Sequence, residues 1–411
     1  MTGRVKIVRS ESEPMKNRFI WLAALGHLFT DLNQGAVPAL LPFFISEYHL
    51  SYASAAGLVA ALSIASTVIQ PLFGFYADRL SKPWLIPAGV GMAGCGVAFC
   101  TLLPDYWFAI AMIVLSGIGI AAFHPEGARL VHNHAGEKKA TAMSVFAVGG
   151  QMGIALGPIM ATVAVSAWGL RGTAFLAIPF VLMAAFLAFQ LTGTGGGPGA
   201  AKAAAGAQAG EKAKDLWVPF AIVTGVVIIR SIIFYGLNTF IPLYWINIYQ
   251  QSATAAATAL SIMFGAGVAG TLWGGRLADK YGHRRAVLVG YSALIPLLIL
   301  FVQVKDVMVA TALLVPIGIV LLSTYSPLVV MGQRFLPNQV GLASGITLGV
   351  AISIGGIVAP LLGHVADGFG LPAALTVLAF LTVPAVLLTL MLPRPQATRK
   401  EGSEEARKLR N

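Results

Sequence analysis

The chain has 411 residues, 57% of them hydrophobic and only 10% charged, with a formal net charge of +11. Soluble globular domains carry about 25% charged residues, so a water-soluble enzyme is excluded, and no nucleic-acid partner is expected because the positive charge is distributed as a membrane protein distributes it. The composition is that of an all-α chain whose solvent is the lipid bilayer.

A membrane-spanning helix needs roughly 20 apolar residues, and twelve such runs can be counted, six on each side of a polar break near residues 192–216. Runs such as Phe108 to Phe123 do not alternate, which favours helices over barrel strands. In chain order the predicted helices of the first half are Arg18 to Ser46, Ser54 to Ala77, Trp84 to Leu103, Tyr106 to His132, Thr141 to Ser166 and Gly172 to Leu191. Those of the second half cover 217–246, 254–276, 285–302, 307–334, 341–366 and 372–392. The expected organisation is a six-helix bundle over 1–191, a Gly, Ala and Lys rich cytoplasmic linker over 192–216, a second six-helix bundle over 217–392 and a charged tail over 393–411. The basic segment Met1 to Arg18 precedes a run too long for a signal peptide, so an uncleaved first helix is expected. Cys95 and Cys100 read as packing residues of the third helix, with neither disulfide nor metal-site spacing.

Basic residues fix the orientation. With both ends cytoplasmic, inner segments hold 24 of the 27 Lys and Arg, outer loops hold Arg171 and Lys305, and Arg230 lies inside a helix. The halves also repeat each other: Gly74 and Asp78 recur 201 residues later as Gly275 and Asp279, and Pro125 and Pro158 recur 202 residues later as Pro327 and Pro360. Parallel repeats in a membrane chain point to a transporter with its site between the halves.

Charged groups in the hydrocarbon core cost roughly 2.5–3.5 kcal/mol each on insertion scales, which makes them functional candidates. Asp31 lies near mid-membrane in the first helix, with His27 one turn away on the same face. A carboxylate in such a place can take and release a proton, although an interhelical hydrogen bond would also account for it. His124 and Glu126 flank Pro125, which frees a backbone carbonyl, so both are candidate proton carriers; Arg129, three residues on, offers Glu126 a quiet ion pair instead. Arg230 occupies nearly the depth of His27 in the second repeat, where its permanent charge needs either a protein carboxylate or an anionic substrate. Asn238, Gln151 and Tyr235 are candidate cavity polars or interhelical glue. The small residues Gly149, Gly150, Gly153 and Gly157, followed by Pro158, allow close helix approach. His364 and Asp367 end the eleventh helix near the outer face and read as solvated.

The doubled loop Gly74-x-x-x-Asp78-Arg79 and Gly275-x-x-x-Asp279-Lys280-x-Gly282-x-Arg284-Arg285 resembles the loop signature of the major facilitator superfamily. Ser81 stands where the second copy has Gly282. The resemblance implies that Gly74, Asp78, Arg79, Gly275, Asp279 and Arg284 form a conformational latch. Within that superfamily the chain resembles the fosmidomycin resistance proteins, at Gly26-His27-Leu28 with Asp31 and Gln34, at Phe123-His124-Pro125-Glu126 with Arg129, and at Gly149-Gly150. Gly153-x-x-x-Gly157-Pro158 is similar to the fifth-helix signature of drug/proton antiporters. The resemblance implies export and proton coupling across a bacterial inner membrane, whereas the residues alone imply a two-repeat transporter with buried acids. The expected partners are protons, lipid and a small, anionic substrate such as a phosphonate, with no cofactor or metal and a monomeric chain. Two other readings stay open: a proton symporter importing a small organic anion, and an intramembrane enzyme using His124 and Glu126, for which neither a nucleophile nor a His-Glu-x-x-His motif is present.

Overall fold

The computed structural model describes residues 17–70, 73, 83–135, 139–191, 214–339, 342–343, 346–347 and 351–393. The first copy of the loop motif, with Gly74, Asp78 and Arg79, lies outside the described residues, as do most of the linker and the tail. Among the described residues the regular structure is helical, with no strand.

The first half contains α1 (Arg18–Tyr48), α2 (Tyr52–Val68), α3 (Leu85–Phe99), α4 (Tyr106–His134), α5 (Lys139–Trp168), a 3-10 segment (Leu170–Leu176) and α6 (Ala177–Leu191). The second contains α7 (Trp217–Asn247), α8 (Ala253–Tyr281), α9 (His283–Gln303), α10 (Val307–Ser323), α11 (Tyr325–Phe335), α12 (Ala351–Phe369) and α13 (Leu371–Met391). The expected tenth helix is broken at Thr324, one residue before α11 begins; counting α10 and α11 as one bent span gives the expected twelve crossings. Among the described residues, eight spans are long and apolar enough to cross a bilayer by length and composition alone. The 31-residue α1 is not among them, because its centre carries the polar run His27, Asp31, Asn33 and Gln34.

The repeat is written into the turns as well as the helices. Ser51 and Ser252 cap α2 and α8 through bonds to Ser54 N and Ala255 N, and Asp105 and Asp306 cap α4 and α10 through bonds to Phe108 N and Val309 N. Left-handed backbone recurs at His49 and Gln250 and at Gly169 and Gly370, each pair 201 residues apart. These turns lie on the expected outer side, where the chain must reverse between capped helices. On the opposite side Gly282 (φ 95°) ends α8 and starts α9.

Six of the seven tryptophans, among them Trp107, Trp168 and Trp217 near helix ends, are exposed, as are Phe189, Met308 and Phe380. Such an apolar exterior with terminal tryptophans suits lipid and its interface. The halves meet along two equivalent seams, α2 with α12 and α5 with α8.

Candidate functional site

The site begins with how closely α1 and α5 approach. Gly149, Gly153 and Gly157 lie on one face of α5, each against a backbone carbonyl of α1 four residues apart, those of Ala24, Leu28 and Leu32; a Cβ at any of them would overlap that carbonyl oxygen. The antiporter-like Gly153, Gly157 and Pro158 are therefore part of the surface that seats α1, and Pro158 also packs toward Gly35. Gly150 faces the side chains: a Cβ there would come within 2.5 Å of the His27 ring and 2.7 Å of Asp31 Oδ2.

That contact brings together His27, Asp31 and His124. His27 Nε2 lies 3.2 Å from Asp31 Oδ2, His124 Nε2 lies 3.4 Å from Asp31 Oδ1, and the two Nε2 atoms are 3.1 Å apart. His27 Nδ1 is 2.8 Å from the Phe146 carbonyl and His124 Nδ1 is 2.9 Å from the Ile120 carbonyl. A carbonyl can only accept, so both Nδ1 atoms carry the proton and donate it. In the neutral rings both Nε2 atoms are then lone pairs, directed at a carboxylate. Gln34 completes the setting by donating to Asp31 Oδ1 at 2.7 Å. Both Asp31 and His27 are buried, at 5% and 8% exposure, and the His27 ring is stacked on Phe146.

A cavity of about 420 Å³ lies between the halves, with the triad on one wall. Gln151, Tyr235 and Arg230 also line it. Arg230 is 4% exposed, its Nε has no hydrogen-bond partner among the described residues, and the guanidinium lies 4.8 Å from the Tyr325 ring and 5.8 Å from that of Phe234. Among the described residues no carboxylate comes within 4.0 Å of it. The two rings hold the guanidinium by cation–π contact, which uses none of its hydrogen-bond donors.

Other sequence candidates fall elsewhere. Glu126 is buried and paired with Arg129, whose Nε donates to Oε2 at 3.0 Å and whose Nη2 contacts Oε1, and it does not line the cavity. Asn238 is buried off the cavity wall with Oδ1 unpartnered. Gln151 donates to Thr271 of α8 at 3.1 Å, across the seam between the halves, with its Oε1 left over. In the second loop copy, Asp279 is largely exposed at 3.8 Å from His283, while Arg284 donates to the Thr389 and Leu390 carbonyls of α13; nothing crowds Gly275. The described bonds of this copy thus run within the second half.

Asp367 does more than the solvated helix end expected of it. Its two carboxylate oxygens accept from Tyr52 N at 2.7 Å and Ala53 N at 3.0 Å, binding the N-terminus of α2 across the halves. Gly363 packs against Tyr52 and Ala53, and Ser63 Oγ reaches the Ser353 carbonyl at 3.5 Å. From Tyr52 to Ser63, α2 is therefore closed against α12, whereas Ser66 and Thr67 at its inner end, and Gln70 just beyond it, line the cavity. Sequence reasoning also missed Tyr325. The repeat carried a signal for it, since Tyr325 stands two residues before Pro327 just as Phe123 stands two before Pro125.

Comparison with known proteins agrees with this architecture. The protein is 28% identical to the fosmidomycin resistance protein of Escherichia coli (strain K12), covering 90% of this chain and 91% of that one. It is 29% identical to the MFS-type transporter YfnC of Bacillus subtilis (strain 168), covering 91% and 92%. Among solved structures it is similar to a bacterial homolog of the human lysosomal transporter Spinster in an inward-facing, occupied conformation, with a TM-score of 0.78, 15% identity and 93% and 97% of the two chains covered. It is likewise similar to the nucleoside transporter NupG, with a TM-score of 0.72, 16% identity and 92% and 100% covered. The sequence pattern of the Major Facilitator Superfamily matches residues 23–360, which takes in most of both repeats and every residue that lines the cavity, and the chain belongs to that superfamily of transporters.

Proposed function

We propose that the protein is a proton-coupled exporter of a small anionic compound, of the phosphonate class to which fosmidomycin belongs, working as a monomer in a bacterial inner membrane with both termini cytoplasmic. The observation that carries the reading is the convergence of two Nε2 lone pairs and a carboxylate within 3.4 Å, facing a cavity whose other wall holds an unpaired guanidinium. Three acceptors at such distances repel one another until a cation joins them, and the smallest is a proton shared between Asp31 and one imidazole. Loss of that proton destabilises the packed arrangement of α1 against α4 and α5, which ties the protonation state to the conformation. Asp31 is the carrier with His27 and His124 assisting, while Glu126, engaged by Arg129, contributes to packing. Arg230 receives the anion by its fork. The likeness to a fosmidomycin resistance protein supports the substrate class, and the distribution of basic residues supports the orientation.

Proteoliposomes under an imposed pH gradient test the direction. Antiport moves labelled fosmidomycin against the proton flow, so it accumulates on the acidic side; accumulation on the alkaline side assigns symport, and none at either side refutes coupled transport of this compound. Orientation is checked in intact cells: an impermeant thiol reagent should label a cysteine at Ser51 and spare one at Gly199.

A further inference from the structure

We propose that His27, Asp31 and His124 form a binding site for a divalent transition-metal ion of the Zn²⁺ class, with its fourth coordination position open to the cavity. Zn²⁺ bonds to imidazole nitrogen and carboxylate oxygen at about 2.0–2.1 Å, and tetrahedral angles then place neighbouring donor atoms about 3.3 Å apart. Here the two Nε2 atoms are 3.1 Å apart, and each faces its own oxygen of the carboxylate, His27 facing Oδ2 at 3.2 Å and His124 facing Oδ1 at 3.4 Å. The donors come from α1 and α4, and one ligand atom from each of the three side chains lies within 4.8 Å of the other two.

The surroundings are those a metal ligand requires. Each ring gives its Nδ1 proton to a backbone carbonyl, Phe146 for His27 and Ile120 for His124, which fixes the tautomer with Nε2 free to coordinate. Gln34 holds the carboxylate by donating to Oδ1 at 2.7 Å. Phe123 and Phe146 flank the His27 ring and shield one side of the site from water, while the opposite side is the cavity. Two nitrogens and one oxygen make a donor set of borderline softness, which favours Zn²⁺, Co²⁺, Ni²⁺ or Cu²⁺ over the all-oxygen preferences of Mg²⁺ and Ca²⁺. With three protein ligands the ion keeps one position for water or for an anionic ligand entering the cavity. A metal and a proton compete for the same lone pairs, so binding of the ion excludes the proton and weakens as the pH falls.

The test uses the full chain in lipid nanodiscs and requires no transport, so it stands or falls separately from the exporter reading. Zn²⁺ titrated calorimetrically should bind at a single equivalent, and Co²⁺ in its place should develop the intense visible absorption of a four-coordinate ion. His27→Gln and His124→Gln should each lower the affinity by at least about 10-fold, the lower end of what even outer partners of metal ligands contribute. His364→Gln, at the exposed end of α12, should leave it unchanged. Mg²⁺ should neither bind nor compete. Because a ligand variant could misfold, zinc K-edge absorption on the unaltered protein is the second measurement, with imidazole scattering expected at the metal. Equal affinity in the parent and both histidine variants, a purely octahedral Co²⁺ spectrum, or a zinc shell without imidazole would each overturn the site.

Discussion

α1 and α7 are equivalent helices of the two repeats, both 31 residues long and both interrupted by proline toward their outer ends, yet they carry opposite chemistry. α1 brings His27 and Asp31 to one wall of the cavity, and α7 brings Arg230 to the other. Had the two halves kept the same residues, an acid would face an acid or a base a base. Had the acid and base been placed in contact, each would have neutralised the other and neither would be left for a ligand. The divergence leaves an acidic wall and a basic wall, each contacted from its own side: the carboxylate by two histidines and Gln34, the guanidinium by the Tyr325 and Phe234 rings.

The comparison predicts that the two walls fail differently. The largest effect is expected from Asp31→Asn, which cannot exchange a proton: gradient-driven accumulation should disappear while exchange of substrate across the membrane at zero gradient persists. Retention of pH-driven accumulation would place the proton elsewhere. Next is Arg230→Ala, which removes a fork of two charge-assisted bonds of roughly 1.5–3 kcal/mol each and so should weaken binding of an anionic substrate by about 100-fold or more; Arg230→Lys keeps the charge without the fork and should fall between. Binding measured without a gradient distinguishes this from the Asp31 effect. Glu126→Gln should be milder still, lowering thermal stability by breaking the Arg129 pair while leaving the direction and extent of coupling unchanged; loss of coupling in a folded protein would move Glu126 back into the proton path. The smallest change is expected for Asp367→Asn. It retains one acceptor for the α2 amides but loses the charge at the helix N-terminus, so it should shift the population modestly away from the closed outer seam. Greater labelling of a cysteine on the outer part of α2 would report it.

How much of this could be read in the sequence depended on whether the information was local. Twelve spans and the pairing of His27 with Asp31 one turn away follow from patterns within single helices, and the repeat follows from residue identities that recur 201 or 202 positions on. The competing partner of Glu126 was also legible, because Arg129 is three residues on. The inclusion of His124 with His27 and Asp31 was not, since it depends on the rotation of α4 against α1, and no spacing along the chain encodes that rotation. For the same reason a ligand set split between two helices escapes any search for metal-binding spacing. Asp367 was the extreme case: its partner Tyr52 is 315 residues away, and the bond runs to a backbone amide, which has no side-chain identity to betray it.

The ladder of α5 glycines against α1 carries a consequence for mutational tolerance. Smallness is required at Gly149, Gly153 and Gly157 because a backbone carbonyl already occupies the space of a Cβ, and at Gly150 because the catch of His27 and Asp31 does. Among the described residues nothing lies within 4 Å of a Cβ built at Gly265 on α8, so that position accepts a methyl group with no steric objection. In a saturation library selected on drug survival, even alanine should be purged at the four α5 positions and kept at Gly265. Glycine at these positions is thus of two kinds, one a fixed spacing between two helices and the other open to drift.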